Sequence, residues 1–158
     1  MPNFVFQNSK EMKEMQNILV AVDFGDGDHA LLDSALQMAL KFNAKIWIVH
    51  VAAPDPDFVG YEPGPQYIRD GRADDLKSEH KTLHTYAEQM KNAGLQAEGL
   101  LIQGQTVETI LEEAAKLKAD LFVVGTHRHG FFHRLLNANA PLELAKKSKI
   151  PLLIVPLD

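Results

Sequence analysis

The residues with the clearest chemical potential lie in one stretch, VVGTHRHGFFHRLLNANAP, at positions 123–141. The stretch follows an apolar run and leads into a predicted helix. A glycine-bearing turn between a strand and a helix is a common phosphate site, because backbone N–H groups there bind the anion. Histidines and Arg128 share this turn, so its residue types suit either a phosphate or a metal ion.

A metal site is the weaker interpretation. The turn carries three histidines in the pattern H-x-H-x-x-x-H: His127, His129 and His133. Zinc sites need three or four ligands in fixed geometry, and this chain contains no cysteine. His80 and His84 are one helical turn apart, but HKTLH lacks the glutamate of a zinc hydrolase. We therefore predict no metal site.

Hydrolytic motifs are absent from the sequence. It contains neither a G-x-S-x-G elbow nor a G-x-x-x-x-G-K-[ST] phosphate loop. The acidic pair Glu112 and Glu113 falls on an amphipathic helix and is typical of its solvated face. We predict no catalytic residue. If the protein were a nucleotide hydrolase, Asp23 and the histidines at 127–133 would be the candidates.

Composition excludes several classes of protein. The 158 residues carry a net charge of −5, which argues against binding to nucleic acid or to an anionic membrane. The lack of cysteine excludes disulfides and thiol catalysis. No stretch approaches the ~20 apolar residues of a membrane span, and the first residues do not resemble a secretory signal. The simplest prediction is a cytoplasmic protein.

Apolar strands alternate with amphipathic helices along the chain. We expect strands at 17–23, 44–51, 95–104, 119–125 and 150–157, and helices at 28–42, 74–93, 107–119 and 141–149. This alternation predicts one α/β domain over residues 17–158, with a parallel sheet and helices on both faces. Residues 1–16 are expected to form an N-terminal extension. His50, in an apolar strand, is expected to be buried and hydrogen-bonded.

A loop is predicted at 52–73, where Pro, Gly and Asp are frequent. It is long for a compact domain, and long ordered loops are often functional. We expect a ligand to influence the segment 54–71. The polar helix that follows is expected to end at Gly94.

Four segments, in order, resemble the universal stress protein family. They are the opening strand ILVAVDFGDGD, the second strand ending in His50-Val51, the turn IQGQTVETIL, and the tail VVGTHRHGFFHRLLNANAPLELAKKSKIPLLIVP. The tail is similar to the family pattern GSHGxG…LLxGSVxExV…PVLVV. The resemblance covers residues 17–157 and implies a single doubly wound, Rossmann-like sheet of five strands in the order 3-2-1-4-5. It also implies a non-enzymatic module for stress response or signalling.

The resemblance further implies an adenine-nucleotide site where the strand order reverses, between strands one and four. The ligand would be ATP or AMP, with Mg²⁺. In nucleotide-binding members the phosphate motif is G-x-x-G, nine residues, then G-[ST]. Gly125 matches its first glycine, but Arg128, Ala138 and Asn139 replace the later positions. The candidate nucleotide-binding residues are Ala21, Asp23, Val51, Gly125, His127, Arg128, Gly130, Asn139 and Ala140.

Arg128 leaves the function of this crevice open. Its side chain could fill the phosphate site, or its guanidinium could replace the lost backbone donors with a bidentate contact. It could also be a solvated loop residue. A weak nucleotide sensor, a low-level nucleotide hydrolase and an interaction module with a vestigial crevice and an unknown protein partner all remain open.

The last strand is predicted to mediate a homodimer. It is apolar, and the family topology places it at the edge of the sheet, where unpaired backbone groups can bind another chain. By resemblance to family dimers, we expect antiparallel pairing across a twofold axis. The expected interface residues are Pro151, Leu152, Leu153, Ile154 and Val155.

Overall fold

The computed structural model describes residues 14–52, 66–126 and 140–157. These residues form a sheet of five strands: β1 (Asn17–Ala21), β2 (Lys45–Ala52), β3 (Ala97–Gln103), β4 (Leu121–Thr126) and β5 (Leu152–Pro156). Four helices alternate with them: α1 (Asp28–Phe42), α2 (Gln66–Asn92), α3 (Thr106–Lys116) and α4 (Ala140–Lys147). All strand pairs are parallel and the order is β3-β2-β1-β4-β5, which confirms the predicted fold.

The central strand β1 is buried on both faces of the sheet. Ile18, Leu19 and Val20 have no exposed side-chain surface. Leu19 is paired with Trp47 of β2 on one side and with Phe122 of β4 on the other. A parallel sheet covered by helices has no solvated face, so its inner strands are continuous apolar runs.

Two layers of helices cover the sheet. The α1/α2 layer packs with one set of strand residues, including Ile18 and Ile48. The α3/α4 layer packs with the alternate set, including Leu19 and Phe122. This division follows from the period of two in a strand and from right-handed crossovers, which place helices on opposite faces when the strand order reverses. The reversal lies between β1 and β4.

Asp120 fixes β1 beside β4 at the start of both strands. Its Oδ2 accepts hydrogen bonds from the backbone N–H groups of Gln16, at 2.9 Å, and Asn17, at 3.0 Å. The Asp120 N–H donates in return to the Asn17 carbonyl at 2.8 Å. Met15, which precedes these residues, packs against the α1/α2 side of the core.

The polar helix is longer than the sequence predicts. α2 begins at Gln66, whereas we expected a loop up to residue 73. The prediction was wrong at this point. Glycine is uncommon inside helices, yet Gly71 lies in the interior of α2. The rest of the predicted loop, residues 53–65, lies outside the described residues.

The other predicted elements are present with small changes at their ends. Pro151 lies just before β5, where its carbonyl accepts a hydrogen bond from the Phe122 N–H at 3.0 Å. Gly94 follows α2 with a φ of 95°, so the predicted helix stop is confirmed. Helices α1 and α3 are followed in the same way by left-handed residues, Asn43 with φ 51° and Lys118 with φ 52°.

Candidate functional site

The end of β1 presents Asp23 at the carboxyl edge of the sheet. Pairing with β2 continues one residue past β1, because the Val22 N–H donates to the Val49 carbonyl at 2.9 Å. Asp23 then begins a tight turn in which its Oδ1 accepts the Gly25 N–H at 2.9 Å. Such turns are a common use of aspartate after a strand. One bond uses only one of about four acceptor positions on a carboxylate, so Asp23 retains capacity for a ligand hydroxyl.

Three of the predicted nucleotide residues meet in one cleft at this edge. Ala21, Asp23 and Val51 line it together with Thr106 and Ile110 of α3. Thr106 is the first residue of α3, so the positive end of that helix dipole lies at the same cleft. The free volume is about 10 Å³, roughly the space of one water molecule. An adenine ring therefore needs a lining side chain to move outward.

The phosphate side of the predicted site is only partly described. Gly125 lies in β4 opposite Val155 of β5, and Ala140 is the buried first residue of α4. The remaining predicted residues lie outside the described part of the chain: His127, Arg128, Gly130 and Asn139. The candidate metal ligands His129 and His133 are also outside it.

Leu157 is a neighbour of this site that the sequence did not indicate. Its N–H donates to the Thr126 carbonyl at 2.9 Å, which places the side chain beside the end of β4. A methyl group added at Gly125 would overlap the Leu157 side chain, and one added at Gly27 would lie 2.6 Å from its Cδ1. A side chain at either glycine would therefore require Leu157 to shift.

Asp28 is the main site residue that sequence reasoning missed. It is 1% exposed, and its Oδ2 accepts hydrogen bonds from the Phe24 N–H at 3.0 Å and from the Tyr86 hydroxyl at 3.1 Å. Its Oδ1 lies 3.4 Å from the Asp23 N–H. The carboxylate thus holds the turn that presents Asp23. An aspartate in the first turn of a helix is common, and Tyr86 is 58 residues away, so no local pattern indicated this role.

Burial changes the protonation of this pair. The pKa of Asp28 is raised to about 6, chiefly because its carboxyl group is removed from water and secondly because of the nearby negative charge of Asp23. Burial and the Asp28 charge raise the pKa of Tyr86 to about 12. Tyr86 therefore remains a hydrogen-bond donor at neutral pH, while Asp28 titrates in mildly acidic conditions.

An aromatic cluster supports the same turn from the α1/α2 side. Phe24 has a φ of 61°, which is rare for a bulky residue and must be held by its surroundings. Its ring lies 4.1 Å from the His50 ring and 6.4 Å from the Tyr86 ring, measured between centroids. His50 is 2% exposed and its Nδ1 lies 2.8 Å from the Val22 carbonyl, which confirms the predicted buried, hydrogen-bonded histidine.

His50 must carry its proton on Nδ1, because a carbonyl oxygen can only accept a hydrogen bond. Its Nε2 is buried and has no hydrogen-bond partner among the described residues. The cluster therefore holds the Asp23 turn through one buried imidazole and one buried carboxylate.

None of the helices described is long and apolar enough to cross a membrane. No group of three or more His, Asp or Glu side chains in residues 14–52, 66–126 and 140–157 is arranged to hold a metal ion.

Comparison with known proteins agrees with the fold. The model of the universal stress protein family matches residues 14–156. Universal stress protein A of Salmonella typhimurium is 30% identical over 143 residues, which cover 90% of this chain and 94% of the relative. The family match spans nearly the whole chain, and the relative is matched over almost its full length.

Two solved structures show the same architecture. A universal stress protein crystallised with cAMP is 28% identical, with a TM-score of 0.67 over 92% of this chain and 99% of that one. A universal stress protein from Archaeoglobus fulgidus in complex with dAMP is 19% identical, with a TM-score of 0.61 over 90% and 98% of the two chains. Sequence and architecture agree: this chain belongs to the universal stress protein family.

Proposed function

We propose that the protein is a non-enzymatic signalling module that binds an adenosine monophosphate at the carboxyl edge of β1, β2 and β4. The observation that carries this proposal is the cleft in which Ala21, Asp23 and Val51 meet the start of α3. Ala21 and Asp23 lie at and just beyond the end of β1, whereas Val51 lies in β2. They are also among the residues that the family resemblance assigns to nucleotide binding.

The cleft offers complementary chemistry to an adenosine. Val51 and Ile110 are apolar and buried, so they can pack against the faces of a purine ring. Asp23 can accept hydrogen bonds from ribose hydroxyls while it keeps its bond to the Gly25 N–H. A site that hydrogen-bonds a ligand hydroxyl discriminates strongly against analogues that lack it. We therefore expect adenosine nucleotides to bind better than 2′-deoxy analogues.

The phosphate loop favours one phosphate over three. Glycines let the backbone N–H groups approach a polyphosphate closely, and this chain has Arg128 and Ala138 where the motif has two of its glycines. A single phosphate needs fewer such contacts, and Arg128 can supply a bidentate contact to it. The 28% identical relative was crystallised with cAMP, which also has one phosphate. We propose AMP as the best ligand, with a small effect of Mg²⁺.

Calorimetric titration with AMP tests the adenosine contacts. Asp23→Asn keeps an acceptor for the Gly25 N–H but removes the charge, and we expect it to weaken AMP binding about tenfold, as for loss of a charge-assisted hydrogen bond. Asp33→Asn makes the same change at an exposed position of α1 and serves as the control. Equal affinities of the wild type and Asp23→Asn would contradict the proposed site. Phosphate release from ATP above background, lost in Asp23→Asn, would contradict the non-enzymatic assignment.

A homodimer through β5 completes the proposal. β5 ends the sheet, with β4 on its only paired side within the described chain, and Ile154 is 45% exposed. An apolar edge strand offers both backbone hydrogen bonds and hydrophobic surface to a second copy. Light scattering should give twice the chain mass for the wild type and the monomer mass for Ile154→Asp. Leu142→Asp, at another exposed apolar position, in α4, is the control, and a monomeric wild type at tens of micromolar would contradict the dimer.

A further inference from the structure

A second cavity lies at the opposite edge of the sheet from the nucleotide cleft. It has a volume of about 290 Å³ and lies between the C-terminal ends of α3 and α4, where the chain enters β4 and β5. Its apolar lining comes mainly from Leu111, Ala114, Phe122 and Ile150. Three lysines also line it: Lys118, Lys147 and Lys149. An apolar cavity with only cationic side chains among its charged residues is notable in a chain of net charge −5.

Lys118 adopts a backbone conformation that its residue type disfavours. The Ala119 N–H donates to the Ala114 carbonyl at 2.9 Å and the Lys118 N–H to the Ala115 carbonyl at 3.2 Å, which is the usual way to close a helix with a left-handed residue. Glycine or asparagine normally occupies that position, as Gly94 and Asn43 do in this chain. A lysine there carries a backbone cost, and such costs are often tolerated where the side chain has a function.

Two of the three lysines have no carboxylate partner among the described residues. Lys147 lies between Glu108, at 2.9 Å, and Glu143, at 2.6 Å, and it joins α3 to α4. These carboxylates raise the pKa of Lys147, so it stays protonated. Lys118 and Lys149 form no ion pair within the described part of the chain. Their ammonium groups are therefore available to an external anion at the rim of the cavity.

We propose that this cavity binds a medium-chain carboxylate, with its head group between Lys118 and Lys149 and its alkyl chain on the apolar floor. A volume of about 290 Å³ is near the lower end for small-molecule sites, so the ligand is short. The apolar floor disfavours inorganic phosphate and sugars, which would lose hydration without finding partners. The lysines disfavour a cationic amphiphile. This site is separate from the nucleotide cleft and does not depend on it.

Titration of the full chain with octanoate, followed by two-dimensional NMR of the backbone amides, tests the proposal. We expect chemical-shift changes at Ala115, Lys118 and Ile150, and none at Asp23. Butyrate tests the need for the alkyl chain, and octylammonium tests the need for the negative charge. Both should bind at least tenfold more weakly than octanoate.

Two variants test the head-group contact and the apolar floor of the cavity separately. Lys118→Asn with Lys149→Gln removes both charges and keeps a residue suited to the left-handed position. It should weaken octanoate binding roughly fivefold to tenfold, as expected for two partly exposed ion pairs. Ala115→Trp places a large ring in the cavity from an exposed position of α3, so folding is preserved, and it should abolish binding.

The outcomes are distinguishable. Octanoate binding that the Lys118/Lys149 variant weakens and Ala115→Trp abolishes supports the site. Absence of octanoate shifts at millimolar concentration overturns it. Equal binding of octanoate and octylammonium, or shifts that survive Ala115→Trp, also overturns it, because the contact would then be non-specific hydrophobic adsorption.

Discussion

The Tyr86 hydroxyl donates a 3.1 Å hydrogen bond to Oδ2 of Asp28, and this bond joins α2 to the turn that presents Asp23. The same Asp28 oxygen accepts the Phe24 N–H, so one buried carboxylate connects the turn, α1 and α2. The proposed nucleotide cleft is therefore supported by a polar contact from the opposite face of the sheet. Changes in the protonation of Asp28 act directly on that support.

The stability of the protein should fall as Asp28 ionises. Its pKa is about 6 in the folded protein and about 3.9 in an unfolded chain. Between these values the folded state binds more protons than the unfolded state, so stability decreases as pH rises. Relative to Asp28→Asn, the wild type should lose roughly 2 kcal/mol of unfolding free energy between pH 4 and pH 7. Urea unfolding at both pH values measures this, and a pH-independent difference would show that Asp28 does not titrate as described.

Removal of the Tyr86 hydroxyl should move the ionisation of Asp28, and the loss of stability that accompanies it, to higher pH. The hydrogen bond from Tyr86 stabilises the charged form of Asp28 and lowers its pKa. In Tyr86→Phe the pKa of Asp28 should therefore rise further above its usual value, and the variant should be more destabilised at pH 7.5 than at pH 4.5. In an Asp28→Asn background the pH dependence of this substitution should vanish. If it persists there, Tyr86 acts through another group.

Replacement of Gly125 by alanine should destabilise the fold, because the Leu157 side chain occupies the space that the added methyl group would need. Gly125→Ala would force a methyl group into the Leu157 side chain, and overpacking of this kind costs ~1–3 kcal/mol. Leu157→Ala removes the obstacle, so the double variant should be more stable than the sum of the single changes predicts. A thermodynamic cycle from urea unfolding measures this coupling. Strictly additive losses would mean that the two residues do not compete for space.

Gly71→Ala should stabilise α2. Gly71 lies inside the helix with no atom within 4 Å of an added methyl group. Alanine is favoured over glycine in a helix interior by ~0.5–1 kcal/mol. Gly94→Ala is the matched control, because Gly94 has a φ of 95° and alanine should be destabilising there. Thermal unfolding of both variants measures the difference, and a destabilised Gly71→Ala would argue against helix at this position.

The sequence predicted the sheet because the burial of parallel strands leaves a strong local signal. Continuous apolar runs such as 17–23 need no knowledge of their partners to be recognised as strands. The start of α2 could not be predicted in the same way, because its first two turns contain Gly71 and only two apolar residues, Tyr67 and Ile68.

The residues of the candidate site also fall into two groups: those that the local sequence indicates, and those whose roles depend on distant contacts. Ala21, Asp23 and Val51 end or follow strands, so topology alone brings them together at one edge. Asp28, Tyr86 and Leu157 were missed because their roles arise from contacts between distant segments. An aspartate at the first residue of a helix gives the same local sequence pattern whether it is buried or exposed. Only the packing of α2 against α1 distinguishes the two.

Calorimetric titration with AMP and with ATP, each with and without Mg²⁺, tests the central claim most directly. The companion variant restores the family motif by Arg128→Gly, Ala138→Gly and Asn139→Ser. We expect the wild type to bind AMP in the micromolar range and ATP at least tenfold more weakly, and the variant to gain affinity for ATP. Failure of the wild type to bind either nucleotide, with binding restored in the variant, would contradict the claim and show that this crevice has lost its ligand.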